Sequence, residues 1–236
     1  MKSLLGEQLA AAEVTYDGLE GDRALAVVDA ETGRALSAKA NELLFSATAR
    51  SSGGRVEVIL GGEPFEALDP ALAARLSSVL GRRVRIGAPQ AGAPATIQSR
   101  TGTFESPAGT FFDSAPVHLV TTGCLEHFAR LYPRGSFDVR RFRPNFLIGT
   151  SSEPVAGPEG IPEEAWIGSR LRIGGAELRV QKACVRCRMT AYAQADLPLD
   201  KGIFRTIGVH NERRLGVLAR VTTPGRVLVG DAVAVL

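Results

Sequence analysis

Apolar and polar residues alternate in short runs along most of this chain, and turns bearing glycine separate the runs. A period of two puts successive side chains on opposite faces and predicts half-buried strands. Residues 23–29 lead into Glu31-Thr32-Gly33-Arg34, a turn with glycine where positive φ is needed, and residues 35–38 read as the return strand. Residues 55–60 alternate and then meet Gly61-Gly62. Residues 171–173, 177–180, 215–221 and 227–236 follow the same pattern, with Gly174-Gly175 as a hairpin turn between the first two. Residues 83–86, 116–120 and 142–148 read as further strands, the last interrupted near its start by Pro144.

Two segments carry helical signals. In residues 69–81, Asp69 suits the cap, Pro70 the first helical position and Gly81 the exit. A second helix is predicted from Thr121 or Thr122 to about Leu131, before Pro133. Residues 89–99, rich in Ala, Gly and Pro, read as a linker, which divides the chain into an N-terminal part (1–90) and a C-terminal part (91–236). Residues 151–164 read as a loop rich in Pro, Gly and acids. Many strands, few helices and frequent glycine turns predict an α+β chain, mostly β, built as barrels or folded sheets.

Composition narrows the classes of partner. The chain has 236 residues, 44% hydrophobic and 22% charged, which suits one large core or two modest ones. A net charge of +3, with the basic residues spread along the chain, gives no reason to expect a nucleic acid partner. No apolar run approaches the roughly 18 residues of a membrane span, so no membrane partner is expected either. Residues 1–7 carry no signal-peptide core before the first acid, and three cysteines are too few and too odd in number for a disulfide framework. A cytoplasmic location is the expectation.

The sharpest chemical feature is Lys182-Ala183-Cys184-Val185-Arg186-Cys187-Arg188, just after a predicted strand. A C-x-x-C pair can belong to structural zinc, to a redox couple, or to a plain buried corner. Here Lys182, Arg186 and Arg188 are cations close to Cys187 in sequence. They favour a thiolate, the metal-binding form. A second feature is Arg140-Arg141-Phe142-Arg143-Pro144-Asn145, in which Arg143 can fork onto a phosphate and Asn145 can pair with a heterocycle edge. A solvated basic strand end is the alternative. Gly18-Leu19-Glu20-Gly21-Asp22-Arg23 and Phe112-Asp113-Ser114-Ala115-Pro116 each read alone as turns. His118, His127 and His210 show no metal-ligand spacing and are expected to be structural or exposed.

Taken together, these segments resemble the MOSC family (molybdenum cofactor sulfurase C-terminal domain) with the smaller β-rich N-terminal domain that often precedes it. The resemblance extends to relatives of the mitochondrial amidoxime-reducing component. It runs from Lys2-Ser3-Leu4-Leu5-Gly6-Glu7 through Asp113-Ser114, Arg141-Phe142-Arg143-Pro144-Asn145, Trp166-Ile167-Gly168 and Cys184-Val185-Arg186-Cys187 to Val229-Gly230-Asp231. It implies a β-barrel-type MOSC domain and a molybdenum–pterin cofactor (molybdopterin) at the junction of the two domains. It implies Cys187 as the metal ligand. Lys2, Ser3, Arg23, Ser114, Arg143, Asn145, Val185 (by its backbone) and Arg186 would surround the pterin and its phosphate. Asp113 would orient or protonate a substrate oxygen. The family often has T-T-x-D-P after the cysteine pair, whereas residues 189–193 keep only Thr190.

The activity implied is reduction of a small N-hydroxylated substrate. The alternative is a non-redox carrier of the cofactor, or of sulfur as a Cys187 persulfide. Three cysteines do not supply an iron–sulfur cluster, and no G-x-G-x-x-G opens a helix. Electrons are therefore expected from a separate ferredoxin- or flavin-type donor protein, docking on Arg140, Arg141 and Arg188.

Overall fold

A computed structural model describes residues 1–52, 54–150 and 160–236. The chain forms two compact units. One holds Met1–Gln8, Gly21–Ser114 and Ala193–Pro198, and the other holds Leu9–Glu20, Ala115–Tyr192 and Leu199–Leu236. Of the segment 151–164 read as a loop, residues 151–159 lie outside the described residues.

The first unit is assembled from small sheets. Ala26–Asp29 pairs with Val84–Gly87, Arg55–Leu60 lies between Ala47–Ser52 and Glu63–Glu66, and Thr96–Ser99 pairs with Gly102–Glu105. The helix Pro70–Leu80 forms as its sequence predicts. Asp69 Oδ1 accepts from Ala71 N at 2.8 Å, and Gly81 closes the helix with φ 63°. Leu72, Leu76 and Leu80, spaced by four, make its buried stripe. Two expectations change. The stretch read as a linker ends in the strand Thr96–Ser99, whose Ile97 is fully buried with Ala26, Val28, Ala35 and Phe111. Residues 35–38 form no strand. Ala35 makes only isolated bridges to Val28 and Ile97.

The second unit is organised by a six-stranded sheet curled into a half-barrel. Its order is Phe146–Ile148, Val117–Thr121, Arg214–Thr223, Ala176–Val185, Arg170–Ile173 and Val233–Val235. All its pairs are antiparallel except the first. The long pair in the middle carries register shifts between Val180 and Lys182 and between Ala183 and Val185. Such bulges bend a strand and increase its twist, here just ahead of the cysteine pair. Every residue of Val117–Thr121 is buried, because apolar clusters cover both faces of the strand. Val117 and Leu119 join Leu178, Val217 and Ala219. Val120 joins Phe128, Phe137, Phe142 and Leu215. The predicted strand 142–148 shortens to Phe146–Ile148, and the predicted 227–236 splits into Gly225–Leu228 and Val233–Val235. The helix Lys201–Asn211 has no counterpart in the sequence reading.

Two buried polar groups stand out in the second unit. Thr121 Oγ1 accepts from Cys124 N at 3.0 Å, which caps the helix Thr122–Leu131, and donates to Glu163 Oε2 at 2.6 Å. Glu163 belongs to the acid-rich stretch read as loop, yet it has no exposed surface, and its Oε1 has no hydrogen-bond partner among the described residues. Burial pushes the Glu163 carboxyl up, and the Thr121 hydrogen bond only partly offsets this. Burial first, and then Glu163, pushes the Cys124 thiol up as well. The folded chain therefore holds a proton on Glu163 that the unfolded chain releases above about pH 4.3. The stabilisation is complete below that pH and is lost as pH rises through the folded-state value. In denaturation series between acid and neutral pH, wild type should lose stability relative to Glu163→Gln as pH rises. Parallel curves for the two proteins would show that Glu163 does not titrate in this way.

Candidate functional site

The residues nominated from the sequence fall into two groups, one in each unit. In the first unit, Lys2 and Ser3 are buried although they stand at the start of the chain, and Lys2 N donates to Leu25 O at 2.8 Å. Lys2 Nζ donates to the Phe111 carbonyl and to Asp113 Oδ1, both at 2.7 Å. A second ammonium, Lys39 Nζ, lies 2.6 Å from Asp113 Oδ2 and 4.3 Å from the centre of the Phe104 ring. Sequence reasoning missed Lys39, which no motif includes and which lies far from Asp113 along the chain. Partial removal from water would by itself raise the Asp113 carboxyl, although its side chain keeps 48% of its exposure. Lys2 and Lys39 outweigh it and hold the carboxyl well below the usual carboxylate range. Burial also pulls the Lys2 ammonium down, against the opposing pull of Asp113. A carboxyl held this firmly ionised is an acceptor and a poor proton donor. Arg23 pairs with Asp22 and lies over the Phe112 ring, while Ser114 is exposed.

In the second unit, the two arginine-bearing motifs converge on one side chain. Arg186 is half-buried. Its Nη2 donates to the Phe142 carbonyl at 2.7 Å, and its guanidinium carbon lies 5.9 Å from the centre of the Phe142 ring. Its Nη1 lies 2.9 Å from Cys184 Sγ and 3.3 Å from His118 Nε2. Its Nε is buried and has no hydrogen-bond partner among the described residues. Phe142 is fixed from behind by a row of stacked rings, 6.1 Å to Phe137 and a further 5.8 Å to Phe128.

Asn145 takes a place in the sheet. Its Oδ1 accepts from His118 N at 3.0 Å, and its own N donates to His118 O at 2.8 Å. Val185 is exposed. The cysteines differ. Cys184 is buried and takes the Arg186 hydrogen bond. Cys187 is half-buried, with no hydrogen-bond partner for its thiol among the described residues. It caps a single 3-10 turn, Arg188–Ala191, and its carbonyl accepts from the Thr190 N–H at 3.3 Å and hydroxyl at 3.2 Å. The one threonine retained after the pair thus closes the turn on Cys187. Among the described residues, no three His, Cys, Asp or Glu side chains gather as a metal site.

One expectation is overturned. Arg141, assigned to a docking patch, is 1% exposed. Its Nε donates to Ser136 O at 3.0 Å, and its Nη1 lies 3.0 Å from Tyr192 O and 3.3 Å from Thr190 O. Backbone carbonyls at the end of the Cys187 turn need a donor, and this buried fork supplies it. Arg141 is therefore structural. Arg140 remains partly exposed and paired with Asp138, and Arg188 is exposed.

The backbone adds an independent mark. Ser3, Arg23 and Arg143 have φ of 65°, 52° and 56°, and they are half of the six non-glycine residues with positive φ among the described residues. Such conformations are uncommon outside glycine and gather at functional positions.

The second unit thus sets a half-buried cysteine and a guanidinium with one unpartnered nitrogen among the described residues near the end of a bulged strand. Residues 107–234 match the MOSC domain, and the chain belongs to that family, which is associated with the molybdenum cofactor. Solved structures with similarity include a hypothetical protein (16% identity, 56% of each chain, TM-score 0.39). They also include YiiM from Escherichia coli (16% identity, 64% of this chain and 65% of that one, TM-score 0.39) and YuaD from Bacillus subtilis (14% identity, 61% and 81%, TM-score 0.42). The matched part spans less than two thirds of the first two of these chains. Comparison with curated proteins gives no match.

The strain at Arg143 can be separated from the loss of its side chain. Arg143→Gly and Arg143→Ala both remove the guanidinium, but only glycine accepts φ 56° without penalty. In denaturant titrations, the glycine variant should be more stable than the alanine variant by about 1 kcal/mol. An alanine variant more stable than the glycine variant would show that the backbone at Arg143 is unstrained.

Proposed function

We propose that the chain is a molybdenum–pterin oxidoreductase that reduces N-hydroxylated compounds, acting in the cytoplasm. The observation that carries the cofactor reading is the buried Arg186 Nε–H without a partner beside the cysteine pair. A buried donor left unmade costs about 1–3 kcal/mol, so a bound acceptor there recovers that energy. The donor set fits the group. Arg186 offers a charge-assisted hydrogen bond to a phosphate or pterin oxygen, and Arg143 adds a second guanidinium. Asn145 has its Oδ1 engaged with His118 and so serves through the position it gives the strand. In the first unit, Lys2 and Lys39 carry two ammoniums for one carboxylate, a balance that suits an anionic ligand. Ser3, Arg23 and Ser114 belong to the same assignment.

Cys187 is the proposed metal ligand. Its half-buried thiol is accessible, whereas Cys184 is buried and already engaged by Arg186. When bound, the molybdenum–pterin group supplies the two-electron redox chemistry. Breaking one N–O bond of an N-hydroxy substrate consumes two electrons and two protons and yields the N–H compound and water. Asp113, kept ionised by Lys2 and Lys39, accepts a hydrogen bond from the N–OH group and orients it. Its protons come from elsewhere, since its carboxyl stays charged. Electrons come from a separate ferredoxin- or flavin-type donor protein. The choice of N-hydroxylated substrates rests on the resemblance of the motifs to amidoxime-reducing relatives.

The test uses protein purified from a host that makes the cofactor. Wild type should carry stoichiometric molybdenum and turn over amidoximes or hydroxamic acids with a strong artificial reductant, but not with NADH alone. Cys187→Ser should keep the fold and lose turnover, and Cys184→Ser should lose less. Equal turnover by wild type and Cys187→Ser would falsify the ligand assignment. Sulfane sulfur on Cys187 without metal would replace the enzyme reading with that of a sulfur carrier.

A further inference from the structure

We infer that His118 is a positioning residue for Arg186. Its ring nitrogen, the Phe142 carbonyl and the Cys184 sulfur together aim the guanidinium so that Nε–H is left for an acceptor atom of the cofactor. The inference rests on the cofactor reading above for the identity of that acceptor.

The observations lie in the second unit and involve three strands and the turn before one of them. The His118 backbone is pinned on one side by Asn145, through Oδ1 at 3.0 Å and N at 2.8 Å. On the other side its strand pairs with Arg214–Thr223, where His118 lies opposite Leu218. A strand held on both edges has little freedom to shift, so the ring has a fixed origin. The ring is 7% exposed. Its Nε2 lies 3.3 Å from Arg186 Nη1 and 3.4 Å from Leu215 O. A guanidinium has donors and no acceptor, and it stays protonated in proteins. The bond to Arg186 therefore requires Nε2 to accept, which puts the ring proton on Nδ1 and leaves the Leu215 carbonyl, at 3.4 Å, a contact with no hydrogen bond from Nε2. A second proton on the ring would set two cations 3.3 Å apart in a buried place.

Space for this contact is built into the neighbouring strand. Gly216 has φ 80°, and a Cβ there would lie 2.4 Å from His118 Nε2 and 2.6 Å from the Leu119 carbonyl. The strand omits a side chain where the histidine reaches across. The result joins the R-F-R-P-N segment, which provides Phe142 and Asn145, to the C-V-R-C segment, which provides Cys184 and Arg186. His118 belongs to neither. Nη1 and Nη2 each have a partner, and Nε is the guanidinium nitrogen with none among the described residues.

A histidine that only fills space predicts a different outcome from one that aims Arg186, and two substitutions separate them. Phenylalanine fills the volume without an acceptor, while glutamine gives up ring volume and keeps an acceptor. The first readout needs no cofactor. In protein labelled with 15N, the Arg186 Nε–H resonance, assigned by its absence in Arg186→Lys, should be sharp in wild type. It should persist in His118→Gln and broaden by exchange in His118→Phe. The second readout is pterin fluorescence retained after gel filtration of protein from a cofactor-producing host. His118→Phe should retain roughly tenfold less than wild type, the scale of one charge-assisted hydrogen bond out of place, and His118→Gln should recover most of it. An unchanged Arg186 resonance in His118→Phe overturns the inference. So does pterin retention by His118→Phe equal to that of wild type. If the resonances behave as expected but wild type itself holds no pterin, the positioning of Arg186 stands and the cofactor reading falls.

Discussion

A guanidinium brought out of bulk water is destabilised by each buried N–H that lacks an acceptor, and around Arg186 three separate elements supply acceptors to its terminal nitrogens. The acceptors come from separate places. Phe142 offers a carbonyl at the end of the 3-10 turn Val139–Arg141, His118 a ring nitrogen from Val117–Thr121, and Cys184 a sulfur from the bulged end of Ala176–Val185. None of the three can move independently. The aromatic stack holds Phe142, the Asn145 hydrogen bonds hold the His118 strand, and the long central pairing holds Cys184. The buried core of Val117, Leu119, Val217 and Leu178 is thus the backing for a polar arrangement at its margin.

The same economy governs the cysteine pair. Two residues separate the sulfurs in sequence, and the backbone gives them opposite circumstances. Cys184 still points into the sheet's buried side and is occupied by a cation. Cys187 lies past the bulges, where the strand has given way to a turn, and its carbonyl is spent on closing that turn through Thr190. Arg141, reaching the carbonyls of Thr190 and Tyr192 from the other motif, holds the far end of the turn. A short 3-10 turn has weak internal hydrogen bonding, so its conformation depends on such outside support.

What the sequence disclosed follows from where its signals are local. The helix at 70–80 has its cap, proline and terminal glycine within one stretch, and the hairpin around Gly174 has its alternation and turn side by side. The fold class followed from the same local patterns, and the motifs gave the cysteine pair and the Phe142–Asn145 segment. What remained hidden depended on contacts between distant residues. Lys39 acquires meaning only beside Asp113, and His118 only beside Arg186. Arg141 and Glu163 misled for a related reason. Charge normally marks solvent, but a tertiary partner reversed that rule at both, with carbonyls meeting the arginine and Thr121 meeting the acid. The strand expected over 142–148 failed at its start because Arg143 adopts a left-handed conformation that alternation does not reveal.

That left-handed residue also explains why Phe142 and Asn145, three positions apart, can serve such different neighbours. A continuous strand would have sent residues 142 and 144 to one face and 143 and 145 to the other. The reversal at Arg143, followed by the restriction Pro144 imposes, instead lets the Phe142 carbonyl face Arg186 while Asn145 joins the edge of Val117–Thr121. The cost of a positive φ, about 1–2 kcal/mol for a residue with a Cβ, is met by the sheet and the aromatic stack on either side. The strained residue is thus the corner that lets one short segment do two jobs, supplying an acceptor to the guanidinium and pinning the strand from which His118 reaches the same guanidinium.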